Sequence, residues 1–204
     1  MREDKCMKIN WLGHSCFKLI SKDGLLIFDP YKDGSVPGLK SLKEECDVVL
    51  CSHNHDDHHG TECINLTGNS SCFKISFIDS YHDNENGKLR GCNKIYVVET
   101  ENMKVVHLGD IGCELDVTCI HGCDVLLIPI GGYYTIDTKM AIKLIDSIEP
   151  RIVIPMHYKL NEIGYDVLNS RDEFIKESKN VIIYDSNEIE ITKDTPNQTA
   201  ILNL

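Results

Sequence analysis

The chain has 204 residues and a formal net charge of −11, a length that suits one ordinary domain with a substantial core and is a little short for two. A hydrophobic share of 42% and a charged share of 26% give no support to disorder, collagen or a coiled coil. The acidic balance argues against a broad grip on nucleic acid, which depends on Lys and Arg neutralising phosphates, although it leaves room for a local basic pocket. A single domain over residues 1–204 is expected, with a small-molecule substrate and no nucleic-acid partner. No apolar run approaches the roughly 18 residues of a membrane span, and the charged N-terminal stretch lacks a signal-peptide core, so a cytoplasmic location is expected. Ten scattered cysteines without a CxxC pair read as reduced, small, semi-buried side chains.

In chain order, residues 8–12 (KINWL), 16–20 (CFKLI) and 25–29 (LLIFD) read as strands, the last two joined by a tight turn at Lys22-Asp23-Gly24. Residues 47–52 (DVVLCS) form a nearly continuous β-branched and apolar run, expected of a strand covered on both faces. Strands follow at 72–78, 94–99 and 104–109, with a hairpin around Glu101-Asn102. Residues 124–130 read as a buried strand. Ala141, Leu144, Ile145 and Ile148 then stand at helical spacing before Pro150, and 151–156 (RIVIPM) is again a strand. Ser170 to Glu173 has the S-x-x-E form of a capping box, opening a short helix that ends near Lys179-Asn180. Residues 181–185, 188–192 and 200–204 close the chain as strands. Meanders mixed with a few amphipathic helices predict an α+β fold, two sheets packed face to face and covered by helices.

The stretch CSHNHDDHHG, residues 51–60, places four histidines and two aspartates directly after a predicted strand. Imidazole and carboxylate donors suit zinc, iron or manganese. His53, His55 and Asp57 are two residues apart, so an extended segment would point them the same way. A turn there, with Gly60 allowing unusual backbone angles, would aim two ligands at one ion and two at a neighbour. Spacing alone does not separate Asp56 from Asp57, or His58 from His59. Further candidates, His82, Asp110 and His157, each follow an apolar strand. Cys119-x-His121-x-Cys123 lacks the fourth ligand of a zinc site and reads as ordinary surface and core.

The run His53-x-His55-x-Asp57-His58, then His82, Gly109-Asp110 and His157, resembles the five-motif pattern of the metallo-β-lactamase superfamily across nearly the whole chain. WLGHSCF, HLGD and IPMHY look most like the small bacterial metal-dependent hydrolases related to ascorbate-6-phosphate lactonase and the N-acyl-phosphatidylethanolamine phosphodiesterase. The resemblance implies a four-layer αββα sandwich with the site at one edge between the sheets. It implies one metal on His53, His55 and His82, a second on Asp57, His58 and His157, and Asp110 bridging both. His59 is left over, facing solvent or supporting a ligand.

The implied reaction is hydrolysis by a hydroxide held between two divalent ions, zinc first, with manganese or iron as alternatives. Asp57 would orient the hydroxide or take its proton. His14 and Tyr133 are candidate proton donors at the cleft rim, each also readable as a structural or packing residue. Asp29 is a candidate to orient a ligand histidine, and His107 is expected to be packed. The expected activity is cleavage of a small-molecule lactone or other ester. Phosphodiester cleavage is the alternative, and a non-catalytic metal-binding protein the third reading. Specificity is expected to reside in loops 83–91 and 131–137; oligomeric state is not legible.

Overall fold

The structure, a computed structural model, describes residues 6–204. Strand β1 (Cys6–Gly13) buries Met7, Ile9 and Trp11 on one face, the period-2 pattern of a strand with one side on the core. β2 (Cys16–Ser21) and β3 (Gly24–Phe28) follow through the expected turn. Then come β4 (Glu44–Cys46), β5 (Val48–Leu50), a short 3₁₀ turn at Thr61–Cys63, and β6 (Ile64–Leu66). A meander comprises β7 (Lys74–Tyr81), β8 (Cys92–Thr100) and β9 (Met103–His107). Glu101 and Asn102 turn β8 into β9 with left-handed φ of 50° and 60°, as two-residue hairpin loops demand. β10 (Val125–Pro129), α1 (Thr138–Ile148), β11 (Ile152–Met156), α2 (Asp172–Glu177), β12 (Val181–Ile183), β13 (Glu188–Thr192) and β14 (Gln198–Ile201) complete the chain.

A five-stranded sheet, β13-β1-β2-β3-β5, faces a seven-stranded sheet, β12-β14-β11-β10-β9-β8-β7. Their inner faces share one apolar core in which Trp11, Phe17 and Phe28 join Val105, Leu126 and Ile154. This is the expected α+β sandwich. α1 covers the larger sheet with Ala141, Leu144 and Ile148, its first turn capped by the Asp137 carboxylate, which accepts from Met140 N at 2.9 Å. Over the smaller sheet, Cys16 and Ile27 are covered by Tyr31, Val36 and Leu42 from a loop and by Cys46 and Ile64 from the two-stranded sheet β4-β6. Pro30, Gly34, Pro37 and Gly38 interrupt that loop often enough to explain why this layer is irregular rather than helical.

Three details depart from the sequence expectations. Val48, Val49 and Leu50 are half-buried, because β5 is an edge strand paired only with β3. The Ser170 hydroxyl engages the Asp172 backbone N–H and carboxylate, at 3.3 and 2.9 Å, so no capping box forms and α2 starts at Asp172 without a side-chain cap. It ends at Glu177, where Ser178 turns extended.

The topology gathers chain ends. β1, β3 and β5 run one way in the small sheet, and β7 runs parallel to β9, β10 and β11 in the large one. The segments that follow these strands therefore meet at one edge of the sandwich.

Candidate metal centre

The end of β3 sets the floor of the site. Asp29, fully buried and with a left-handed φ of 44°, accepts from Ser52 N at 2.6 Å and Ser52 Oγ at 2.6 Å, and faces His58 Nδ1 at 2.8 Å. With its proton donated to Asp29, the Ser52 hydroxyl accepts from His53 Nδ1, 2.9 Å away. This chain of contacts puts an N–H on Nδ1 of both His53 and His58 and turns both Nε2 atoms inward, where a metal cation would replace the proton that His58 keeps in its absence. Both Nε2 atoms are buried; that of His53 has no hydrogen-bond partner, and that of His58 faces carboxylate oxygen.

Beyond Ser52 the chain bends and turns rather than running extended. His58 N donates to His55 O at 2.9 Å, and the turn splits the cluster: His53 and His55 converge with His82, while Asp57 and His58 converge with His157 and His14. In each group the ligand-type atoms lie within 4.8 Å of one another. Gly60 serves this turn differently from the expectation. Its φ is an ordinary −87°, but a Cβ there would lie 2.3 Å from the Tyr31 carbonyl, so close approach of two backbones demands the glycine.

Asp110 joins the two groups. Its Oδ2 lies 3.0 Å from His157 Nε2, 3.1 Å from His58 Nε2 and 3.3 Å from His82 Nε2, and its Oδ1 is buried without a partner. The carboxylate is held in place through its backbone: Asp110 N donates to Asn93 Oδ1 at 3.0 Å, and Asn93 Nδ2 donates to Ser80 Oγ and Leu108 O. Gly109, at φ 56°, lets Asn93 and Ser52 close in; a Cβ would sit 2.3 Å from Asn93 Oδ1. His107 is packed as expected, stacked on Phe28, with Nε2 donating to Ser15 O and Nδ1 accepting from Gly109 N.

His14 Nε2 lies 3.2 Å from Asp57 Oδ2, with its ring 4.1 Å from that of His157. Tyr133 is 66% exposed, its ring against Tyr134, which leads to Tyr165. Tyr165 is the tyrosine that reaches the site, its single hydroxyl proton shared between Ser35 O at 2.9 Å and Asp57 Oδ2 at 3.3 Å. Its loop carries no motif; its one sequence signal is that it follows His157 in the same connection. His59 is half-buried beside the first group. Cys119 and the His121 side chain are exposed and Cys123 is buried, with no convergence of ligand atoms among the described residues.

The electrostatics favour a cation here. Burial, reinforced by His157, pulls the His14 pKa down to about 4, and burial with His58 pulls His53 to about 3. Burial also works against charge on His58, Asp57 and Asp110, but is outweighed. Asp110, Asp29 and Asp57 raise His58 well above its usual value, while His157 and His58 hold Asp110 well below the carboxylate range. Asp57 is likewise depressed, by His58 and His14. The carboxylates that keep a proton on His58 would equally hold a metal cation in its place. An unpartnered inward lone pair, a dry carboxylate and an N/O donor set fit divalent metal ions.

A pH effect follows for metal-free protein. His14 and His53 have folded pKa values below the unfolded 6.5, so between pH 6.5 and about 4 the unfolded chain takes up protons that the folded one refuses. His58, raised in the fold, opposes this slope near pH 6.5, where its unfolded imidazole is only partly protonated, and adds none lower in the window. Unfolding free energy is therefore expected to fall with falling pH by up to about 1.4 kcal/mol per unit for each of the two, and His55 and His107, also lowered by burial, act in the same direction. Urea titrations of chelator-treated protein at pH 6.5, 5.5 and 4.5 measure it; a flat profile would contradict the assignment.

A family profile described as a β-lactamase superfamily domain matches residues 8–157. The chain belongs to the metallo-β-lactamase superfamily. A metal-dependent hydrolase of the UPF0173 group from Thermoplasma acidophilum is 29% identical over 206 residues, covering 83% of this chain and 89% of its own length. A solved structure from Thermotoga maritima, assigned to the metallo-β-lactamase superfamily as a Zn-dependent hydrolase, superposes with a TM-score of 0.75 at 30% identity, covering 96% of this chain and 98% of the other. A metallo hydrolase from Ignicoccus hospitalis shares the fold, with a TM-score of 0.70 at 19% identity over 91% of this chain and 98% of its own. As a superfamily member with these relatives, the chain is a metal-dependent hydrolase. No helix among the described residues is long and apolar enough to cross a membrane.

Proposed function

We propose that this metallo-β-lactamase-superfamily hydrolase binds two divalent cations and cleaves a lactone or other ester bond in a small molecule. The observation that carries the reading is the single Asp110 oxygen within 3.0 to 3.3 Å of histidines from both ligand groups. His53, His55 and His82 would hold one ion, Asp57, His58 and His157 the other, with Asp110 between them. Zinc is the first candidate, by the donor set and by the Thermotoga maritima relative.

When bound, the ions supply Lewis-acid activation of water and of the scissile bond. The protein's own residues orient and exclude. Asp57 is ionised at neutral pH, and its Oδ2 receives hydrogen bonds from His14 and Tyr165. It is an oriented acceptor for a proton of the attacking water. His14, neutral because of burial, donates without carrying a spare proton, so its role is to aim Asp57 rather than to protonate a leaving group. Tyr133, exposed and packed against Tyr134, would meet substrate rather than donate a proton.

Elemental mass spectrometry on protein purified without chelator should find about two equivalents of metal, falling towards one in His157→Ala. Metal that stayed below half an equivalent after reloading would remove the catalytic reading and leave a binding protein. A panel of lactones, esters and phosphodiesters then separates ester cleavage from phosphodiester cleavage.

A further inference from the structure

His82 has little help from its sheet. Asp110 and His157 follow β9 and β11, which lie inside the seven-stranded sheet, whereas His82 follows β7, the outer edge, with β8 as its partner. Within β7 only Ser80 is buried. Nor does a side chain orient the imidazole. Ser52 and Asp29 face Nδ1 of His53 and His58, but His82 Nδ1 is buried without a partner among the described residues, while its Nε2 faces Asp110 Oδ2 at 3.3 Å. A metal-bound histidine is ordinarily fixed through its second ring nitrogen. For His82 the backbone must supply the aim.

That backbone is gripped on two sides. The His82 carbonyl lies against Gly112, where a Cβ would come within 2.6 Å of it, and Gly112 N donates to Tyr81 O at 3.0 Å. Gly112 stands just beyond Asp110, so this grip ties His82 to the carboxylate it faces. The other grip is His82 N donating to Gly91 O at 3.1 Å, and it depends on a loop. Tyr81 and Cys92 end the β7–β8 register, so residues 82–91 connect the strands. This is longer than the roughly two- to five-residue loops whose turn type fixes their shape. Its one apolar side chain, Leu89, is exposed. The loop is closed instead by Asp83, which is 2% exposed. Oδ1 accepts from Glu85 N and Gly87 N at 2.8 and 2.9 Å, and Oδ2 from Leu89 N and Arg90 N at 3.0 and 2.8 Å. All four donors are backbone groups of the loop, so one carboxylate sets the path that brings Gly91 O to His82 N.

We propose that Asp83 is a positioning residue for the first ligand group: as the hub of loop 82–91 it holds the His82 backbone where the imidazole can meet a metal ion together with His53 and His55. This rests on the two-ion reading above. Without the carboxylate, four N–H groups turn to water, the loop opens, and His82 is left at the end of an edge strand. The opening stays local, because the loop adds no side chain to the apolar core.

Zinc binding, read by competition with a chromogenic chelator, tests this on wild type, Asp83→Ala, Gly87→Ala, His82→Ala and the Asp83→Ala/His82→Ala double variant, beside urea titrations of the metal-free proteins. Gly87→Ala disturbs the loop from its far side: φ is 77°, and a Cβ would lie 3.0 Å from Gly91 O and from Tyr81 Cδ1. Asp83→Ala should weaken one of the two zinc equivalents by about 10 to 100-fold, leave the other unchanged and keep the wild-type urea midpoint. Gly87→Ala should weaken the same equivalent, and carries the comparison alone should Asp83→Ala not fold. Added to His82→Ala, Asp83→Ala should cost no further zinc affinity, a non-additivity that general support of the fold would not give. Zinc binding unchanged in both loop variants, equal weakening of both equivalents, or additivity with His82→Ala overturns the proposal and leaves the two-ion reading standing. A wild type that binds no zinc, or a His82→Ala variant that binds it as wild type does, overturns both.

Discussion

Asp110→Ala is expected to lower kcat/KM by about 10³-fold, close to 4 kcal/mol of transition-state stabilisation. One carboxylate oxygen faces three imidazoles drawn from two groups, so its removal disconnects both halves of the site. On the proposed two-ion reading, Asp110 would lie between the two clusters, and its loss would leave each with some metal affinity but without the anion that joins them. The backbone that positions residue 110 is untouched, because its N–H is held by Asn93 and not by its own side chain. The variant should therefore fold, and inactivity cannot be ascribed to collapse. Asp110→Asn, which keeps the shape and loses the charge, should fall nearly as far, since on the proposed reading a neutral amide would face two cations. Steady-state kinetics with metal content measured on the same samples checks both; turnover by Asp110→Ala at the wild-type rate would remove the proposed centre.

The reach of the sequence follows from how local each signal is. His53, His55, Asp57 and His58 are legible because they are contiguous and follow an apolar strand. His82, Asp110 and His157 are legible because each directly follows one. Their division into two groups follows from the turn that the sequence allows there, whereas an extended geometry for residues 53–57 does not form. The contact of Asp29 with Ser52 and His58 depends on β3 pairing in parallel with β5, Phe28 opposite Leu50, a register that no local pattern states. Tyr165 is brought to the site by loop path and sheet order alone. The irregular cover of the smaller sheet had a local sign in its prolines and glycines, but the apolar residues that do the covering are spread over Tyr31, Val36, Leu42 and Ile64 at no regular period.

Asp29 offers the other large effect, and its two substitutions separate fold from metal. In Asp29→Ala, Ser52 N, Ser52 Oγ and His58 Nδ1 lose their shared acceptor at a fully buried position. Stranding buried donors in this way costs about 3 to 5 kcal/mol of stability. The two imidazoles aimed through that acceptor are freed at the same time, and metal affinity should drop by about 10 to 100-fold. Asp29→Asn divides these consequences. Its carbonyl, in the place of Oδ1, can still accept from Ser52 N, which limits the loss of stability. Its amide, however, would donate to His58 Nδ1 and drive the ring proton to Nε2, where the lone pair for a metal belongs. The Asn variant should therefore lie close to wild type in a urea titration of the metal-free protein and far from it in a competition titration with a chromogenic chelator. Equal losses for Ala and Asn in both measurements would show that Asp29 only supports the fold.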